Sequence, residues 1–197
     1  IAFISLGCDK NRVDSEVMLG LLRERGFEPV SDEGEAEIIV INTCCFIKDA
    51  LEESIETIIE TARYKENGKC RGLIVAGCLA QRYESEIFSE LPEVDAVLGT
   101  TAYERVAEAA ERILNGEKNI KMLEDVSAPM DEANAPKRIL STPGHYAYLK
   151  ISEGCDNHCT YCVIPKMRGR HRSRTMESLV EETRKLAEDG VKELLVV

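Results

Sequence analysis

Short apolar runs alternate with amphipathic stretches over residues 1–116. Ile1–Gly7 (IAFISLG), Glu37–Thr43 (EIIVINT) and Gly72–Gly77 (GLIVAG) are brief and nearly continuous, the pattern of buried strands. Asp95–Gly99 (DAVLG) is a shorter fourth candidate. Between them the apolar spacing turns helical. Val17, Met18, Leu21 and Leu22 share one face, with Asp14 or Ser15 placed to cap and Gly26 to stop the helix. Asp49–Tyr64 sets Leu51, Ile55, Ile58, Ile59 and Ala62 at helical spacing. Gln81–Leu91 ends at Pro92, and Tyr103–Asn115 ends at Gly116. Strands alternating with helices predict an α/β fold with a doubly wound parallel sheet and right-handed crossovers.

Residues 117–144 change character. Asp131–Pro136 (DEANAP) and Ser141–Gly144 (STPG) are turn-rich and read as a linker. A second domain is predicted over 145–197. Tyr146–Ile151 (YAYLKI) alternates as a strand, and Thr175 or Glu177 opens a helix to Asp189 with Leu179, Val180, Thr183 and Leu186 inward. Glu193–Val197 (ELLVV) reads as another strand. This is one strand–loop–helix–strand unit, the first part of a partial (β/α) barrel that needs further units to close. The chain alone is therefore expected not to turn over substrate.

Cys8, Cys44 and Cys78 each directly follow one of the three long apolar strands. In a parallel sheet those positions share the edge where such folds place ligands, so three cysteines far apart in sequence are expected to converge on a metal or cluster. Cys155, Cys159 and Cys162 form a second group at C-x3-C-x2-C spacing, with Tyr161 before the last. Closely spaced thiolates on a loop suit an iron–sulfur cluster. Zinc, a redox-active Cys159/Cys162 pair or a disulfide are the alternatives that spacing leaves open. Cys70 has no evident partner, and His145 and His158 make no strong claim.

Composition narrows the class. Apolar residues make up 44% and charged residues 31%, which predicts a soluble globular protein. No run of about 18 apolar residues occurs, so no membrane-spanning helix is predicted. Eight cysteines without a visible secretion pattern predict a reducing, cytoplasmic setting. The net charge of −11 favours a basic partner over nucleic acid.

The Cys155–Cys162 loop resembles the signature of radical S-adenosylmethionine (SAM) enzymes. With SLGCDKNRVDSE around Cys8, NTC at Cys44 and AGCLAQRY around Cys78, essentially the whole chain is similar to the methylthiotransferase family of that superfamily. The resemblance implies two 4Fe–4S clusters, one on Cys155, Cys159 and Cys162 and an auxiliary one on Cys8, Cys44 and Cys78. It implies that SAM binds the open iron of the first cluster and is cleaved to a 5′-deoxyadenosyl radical, with sulfur held at the second and a methyl group from a second SAM. Tyr161 is then a candidate to pack against the SAM adenine.

Asp9 and Lys10 resemble the members that methylthiolate an aspartate β-carbon of small-subunit ribosomal protein twelve. The tRNA-modifying relatives usually carry glutamine and methionine there. A flavodoxin- or ferredoxin-type electron donor is the implied redox partner. Cys45 departs from the glycine often found in the family, and Cys44 is the expected ligand because it fits NTC. Two other functions remain open: a tRNA methylthiotransferase, and a non-catalytic iron–sulfur or zinc-binding module. The basic run Lys166, Arg168, Arg170, His171, Arg172 and Arg174 could hold a carboxylate, but such runs are usually solvated.

Overall fold

The computed structural model describes residues 1–129 and 138–197. The first half builds β1 (Ala2–Ser5), α1 (Asp9–Glu24), β2 (Ile38–Thr43), α2 (Lys48–Ala62), α3 (Tyr64–Asn67), β3 (Gly72–Gly77), α4 (Cys78–Arg82), α5 (Ile87–Glu90), β4 (Ala96–Leu98), α6 (Val106–Leu114) and β5 (Ile120–Met122). The strands form one five-stranded parallel sheet in the order β1-β2-β3-β4-β5. Strands β2 and β3 are buried along their whole length, which is why their sequences read as continuous apolar runs instead of alternating ones.

Side chains of successive strand residues pack on opposite faces. Ile38, Val40, Ile74, Ala96 and Leu98 meet Met18 and Leu22 of α1 and Val106, Ala109 and Ile113 of α6. Ile39, Ile41, Leu73, Val75 and Val97 meet Ile58 of α2, Leu79 of α4 and Ile87 of α5. Helices therefore cover both faces, as expected. The strand order never reverses, however. The crossovers through α1 and α6 must have the opposite hand to those through α2 and α4, so the uniform right-handed winding expected from the sequence does not hold.

Several boundaries also differ. Helix α1 starts at Asp9 with Cys8 as its N-cap, and Asp14, Ser15 and Glu16 lie buried inside it instead of capping it. Their side chains are drawn into tertiary bonds, described below. Gln81–Leu91 is two short helices, and the first begins at Cys78 itself. Part of the expected linker, Ile120–Met122, is the fifth strand of the sheet. Asp131–Pro136 lies outside the described residues.

The second half contains β6 (Tyr146–Leu149), β7 (Ser152–Glu153), α7 (Ile164–Arg168), β8 (Arg172–Ser173), α8 (Met176–Glu188) and β9 (Glu193–Val196). β6 and β9 pair in parallel, and β7 and β8 form a short antiparallel ladder. Thr175 caps α8 by accepting from the Ser178 amide. Of the four residues expected to face inward on α8, only Leu186 is buried, against Ala147 and Val191, while Val180 is 50% exposed. No described helix is long and apolar enough to cross a membrane.

Gly77 makes the strand-to-helix turn at Cys78 with φ at +92°. A Cβ there would sit 2.3 Å from Asn42 Oδ1 and 2.7 Å from the Thr43 carbonyl. Both the backbone conformation and the space require glycine. Gly77→Ala is expected to cost about 2 kcal/mol or more of folding stability, read from the urea midpoint at constant m value.

Candidate metal centre

The sheet register brings the first cysteine group together. Ser5 aligns with Asn42, and Thr43 with Gly77. Counted on past the ladder, that register sets Gly7 opposite Cys44, two steps after Ser5, and Cys44 opposite Cys78, one step after Thr43. A Cβ on Gly7 would lie 2.6 Å from Cys44 Cβ and 3.1 Å from Cys44 Sγ, so the backbone next to Cys8 rests directly on Cys44. Cys44 is fixed by Ser54, whose hydroxyl accepts from its amide at 3.1 Å and donates to its carbonyl at 2.8 Å. Cys44 and Cys78 are buried, and Cys8 is exposed at the head of α1. Burial pushes the Cys78 thiol up to about 12, against the pull of the Arg168 guanidinium, which favours the thiolate.

The second group lies on irregular backbone between β7 and α7. Cys155 and Cys162 are half-buried and Cys159 is exposed. The Cys162 amide donates to the Cys159 carbonyl at 3.0 Å, and the Cys155 amide to the Gly169 carbonyl at 3.1 Å. Asn157 Nδ2 reaches Cys155 Sγ at 3.5 Å. Tyr161 is 87% exposed and is not packed under the loop. His158 is exposed, and the buried Cys70 thiol donates to the Gly72 carbonyl at 3.4 Å.

Among the described residues, no three His, Cys, Asp or Glu side chains are already arranged to hold a metal ion. The donor chemistry nevertheless fits iron–sulfur clusters. Each group supplies three soft thiols, one set on an irregular loop and one at adjacent strand ends. Among the described residues, no hard-cation cage of carboxylates accompanies either.

A docked junction joins the two groups. Helix α7 begins two residues after Cys162. Its Met167 Sδ lies 3.3 Å from Cys45 Sγ, and Thr100 Oγ1 donates to the Met167 carbonyl at 2.6 Å. Cys45 is thus engaged in the seam beside Cys44, and burial raises its thiol pKa. Arg168 Nη1 donates to Glu153 Oε1 at 2.6 Å, and its Nη2 donates to Asn11 Oδ1 and, at 3.3 Å, to Asp14 Oδ2. Lys150 Nζ pairs with Asp14 and, at 3.1 Å, with Glu153. Lys10 Nζ donates to the Ser152 carbonyl at 2.7 Å.

Farther along α1, Glu16 accepts from Arg138 Nη2 at 2.7 Å and from the Ser141 amide and hydroxyl at 2.8 Å each. A cavity of about 130 Å³ opens beside Lys150, Glu153 and Arg168, lined also by Tyr103 and Arg172.

Burial works against Lys150's charge, but Asp14, Tyr103 and Glu153 outweigh it and raise its pKa. Burial would likewise neutralise Glu153, yet Lys150 and Arg168 hold its carboxyl at about 2. Sequence reasoning missed this network. Asn11, Asp14 and Ser15 continue the buried stripe of Met18 and Leu22 at helical spacing, and that polar extension of an apolar face was the available signal. The basic run divides. Arg168 is buried, Arg172 and Arg174 are half-buried and bonded, and Lys166, Arg170 and His171 are exposed.

Residues 1–99 match the family described as "Uncharacterized protein family UPF0004", and residues 149–197 match the radical SAM superfamily. The chain is 59% identical over 197 residues to "Ribosomal protein uS12 methylthiotransferase RimO" of Lachnoclostridium phytofermentans. It is 52% identical to the protein of the same name from Pelotomaculum thermopropionicum and 50% identical to that from Desulforamulus reducens, again over 197 residues. All of this chain is covered in each case, and it spans 44% of the length of these three relatives.

The junction's charges carry two expected outcomes. Asp14→Ala leaves Glu153 as the one carboxylate shared by the buried Lys150 and Arg168, an uncompensated buried charge, and should destabilise the protein by about 3 kcal/mol in urea denaturation. Glu153 contributes stability above its ordinary value of 4.5, and this is lost as pH falls through about 2. Glu153→Gln should therefore flatten the fall in stability between those pH values.

Proposed function

We propose, from the premise that this chain belongs to the UPF0004 family and continues into a radical SAM segment, that it serves a radical SAM methylthiotransferase. The substrate in this reading is ribosomal protein uS12, as named for its relatives, and the position modified is the β-carbon of an aspartate. The observation that carries the reading is the register of the strand-end cysteines 8, 44 and 78, joined through α7 to the loop cysteines 155, 159 and 162.

In this proposal each trio holds one 4Fe–4S cluster, and SAM binds at the loop cluster. When bound, these groups supply one-electron chemistry able to break an unactivated C–H bond and a site to hold the sulfur. The chain's own contribution is positional. The Asp14, Lys150, Glu153 and Arg168 cluster fixes the two halves against each other, and a fixed approach of two reactants to one carbon lowers the entropic barrier. Tyr161 stands exposed beside the loop, available to cover the SAM adenine. Lys166 and His171 are exposed, and in this reading they are the members of the basic run open to a carboxylate. The net charge of −11 supports a basic protein substrate over tRNA. A low-potential donor of the flavodoxin or ferredoxin type supplies electrons in this reading, in the cytoplasm.

Anaerobic reconstitution followed by iron counting tests the cluster assignment. About eight irons per chain are expected, and Cys8→Ala should lose about half. The substrate is tested with a protein built to the relatives' full length, given SAM, reductant and sulfide with either uS12 or tRNA. Methylthio mass on uS12 is the expected result. The same mass on tRNA alone would replace the substrate assignment.

A further inference from the structure

One side chain reaches all three strand ends that carry the first cysteine group. Asn11, in the first turn of α1, is completely buried. Its Nδ2 donates to the Leu6 carbonyl at 3.0 Å and to the Thr43 carbonyl at 2.9 Å, the backbone just ahead of Cys8 and of Cys44. Its Oδ1 accepts from Arg168 Nη2 and lies 3.9 Å from Cys78 Sγ. Its backbone carbonyl accepts from Asn42 Nδ2 at 2.8 Å and from the Ser15 hydroxyl at 2.9 Å.

An amide offers two N–H donors and an oxygen with two lone pairs, and this set uses all of them. Aspartate would turn acceptors toward two carbonyls. Leucine would take the donor from both carbonyls and one acceptor from the guanidinium. The parallel ladder stops at Thr43 and Gly77, and at that end the Asn11 amide ties β1 to β2 through the Leu6 and Thr43 carbonyls. Arg168 is itself aimed by two carboxylates, Glu153 at 2.6 Å and Asp14 at 3.3 Å.

We propose that Asn11 is the positioning residue that gathers Cys8, Cys44 and Cys78 into one ligand set, completed by Arg168 from the second segment. Assembly of the first metal site then depends on docking of the segment that carries the second. This rests on reading the six cysteines as two cluster sites. Asn11 acts only by fixing where the backbone holds the sulfurs.

The test uses two backgrounds of the chain. One carries Cys155→Ala, Cys159→Ala and Cys162→Ala and reports the first group. The other carries Cys8→Ala, Cys44→Ala and Cys78→Ala and reports the second. After anaerobic reconstitution, Asn11→Ala should lower iron in the first background by more than half and change its reduced-state EPR signal. The second background should keep both. Arg168→Met, which leaves Asn11's own bonds to β1 and β2, should also lower iron in the first background. In the metal-free parent chain, Asn11→Ala should speed iodoacetamide labelling of Cys78 about tenfold, the equilibrium equivalent of two lost ordinary hydrogen bonds.

Parent-level iron, signal and labelling in both variants would overturn the proposal. So would equal iron loss in the two backgrounds, which would make Asn11 a general core residue. If circular dichroism shows Asn11→Ala unfolded, Arg168→Met decides alone, and unfolding of both counts against the proposal. If neither unsubstituted background takes up iron, the cluster reading itself fails, and the labelling arm still decides Asn11's role.

Discussion

The structure depends on a buried cluster of opposite charges. Asp14 and Glu153 face Lys150 and Arg168, and all four are almost wholly out of water. Each would be prohibitive to bury by itself, because an isolated charge loses several kcal/mol of hydration. Together with Asn11 they are satisfied, and the satisfaction requires both halves of the chain. Lys150, Glu153 and Arg168 come from the segment that carries the loop cysteines, and Asp14 and Asn11 from the helix that Cys8 opens. Such a junction adds less stability than an apolar seam of the same size, but it tolerates one arrangement only. In the proposed function, where two cysteine groups serve one carbon, that specificity has a use.

The sheet was legible because its central strands are buried on both faces, which leaves no polar alternation to confuse the reading. The strand-end cysteines were legible for the same reason: once the strands were placed, their final residues were too. Strand β5 was not, since three residues reading IKM carry too little pattern. The start of α1 was misplaced because Asp14 and Ser15 look like caps. They are spent instead on Lys150, Arg168, Ser5 and Asn42, while Cys8 sits at the cap position with no side-chain cap bond. Local propensity gave way there to tertiary hydrogen bonding.

The junction was hidden for a related reason. A basic run before a helix is ordinarily solvated, and Arg170 and His171 obey that rule. Arg168 departs from it because the short helix α7 turns it back toward Asn11. Nothing in the spacing of the run separates position 168 from position 170. The distinction needs the partner surface, which lies about 150 residues earlier in the chain.

That separation sets an order on biosynthesis. Translation delivers the first sheet and α1 long before residues 138, 150 and 168 leave the ribosome, and domains fold as units as they emerge. Until then Asp14 and Glu16 remain hydrated on an open helix face. The desolvation of the central charges is therefore deferred to a single late docking event, when anions and cations can meet at once.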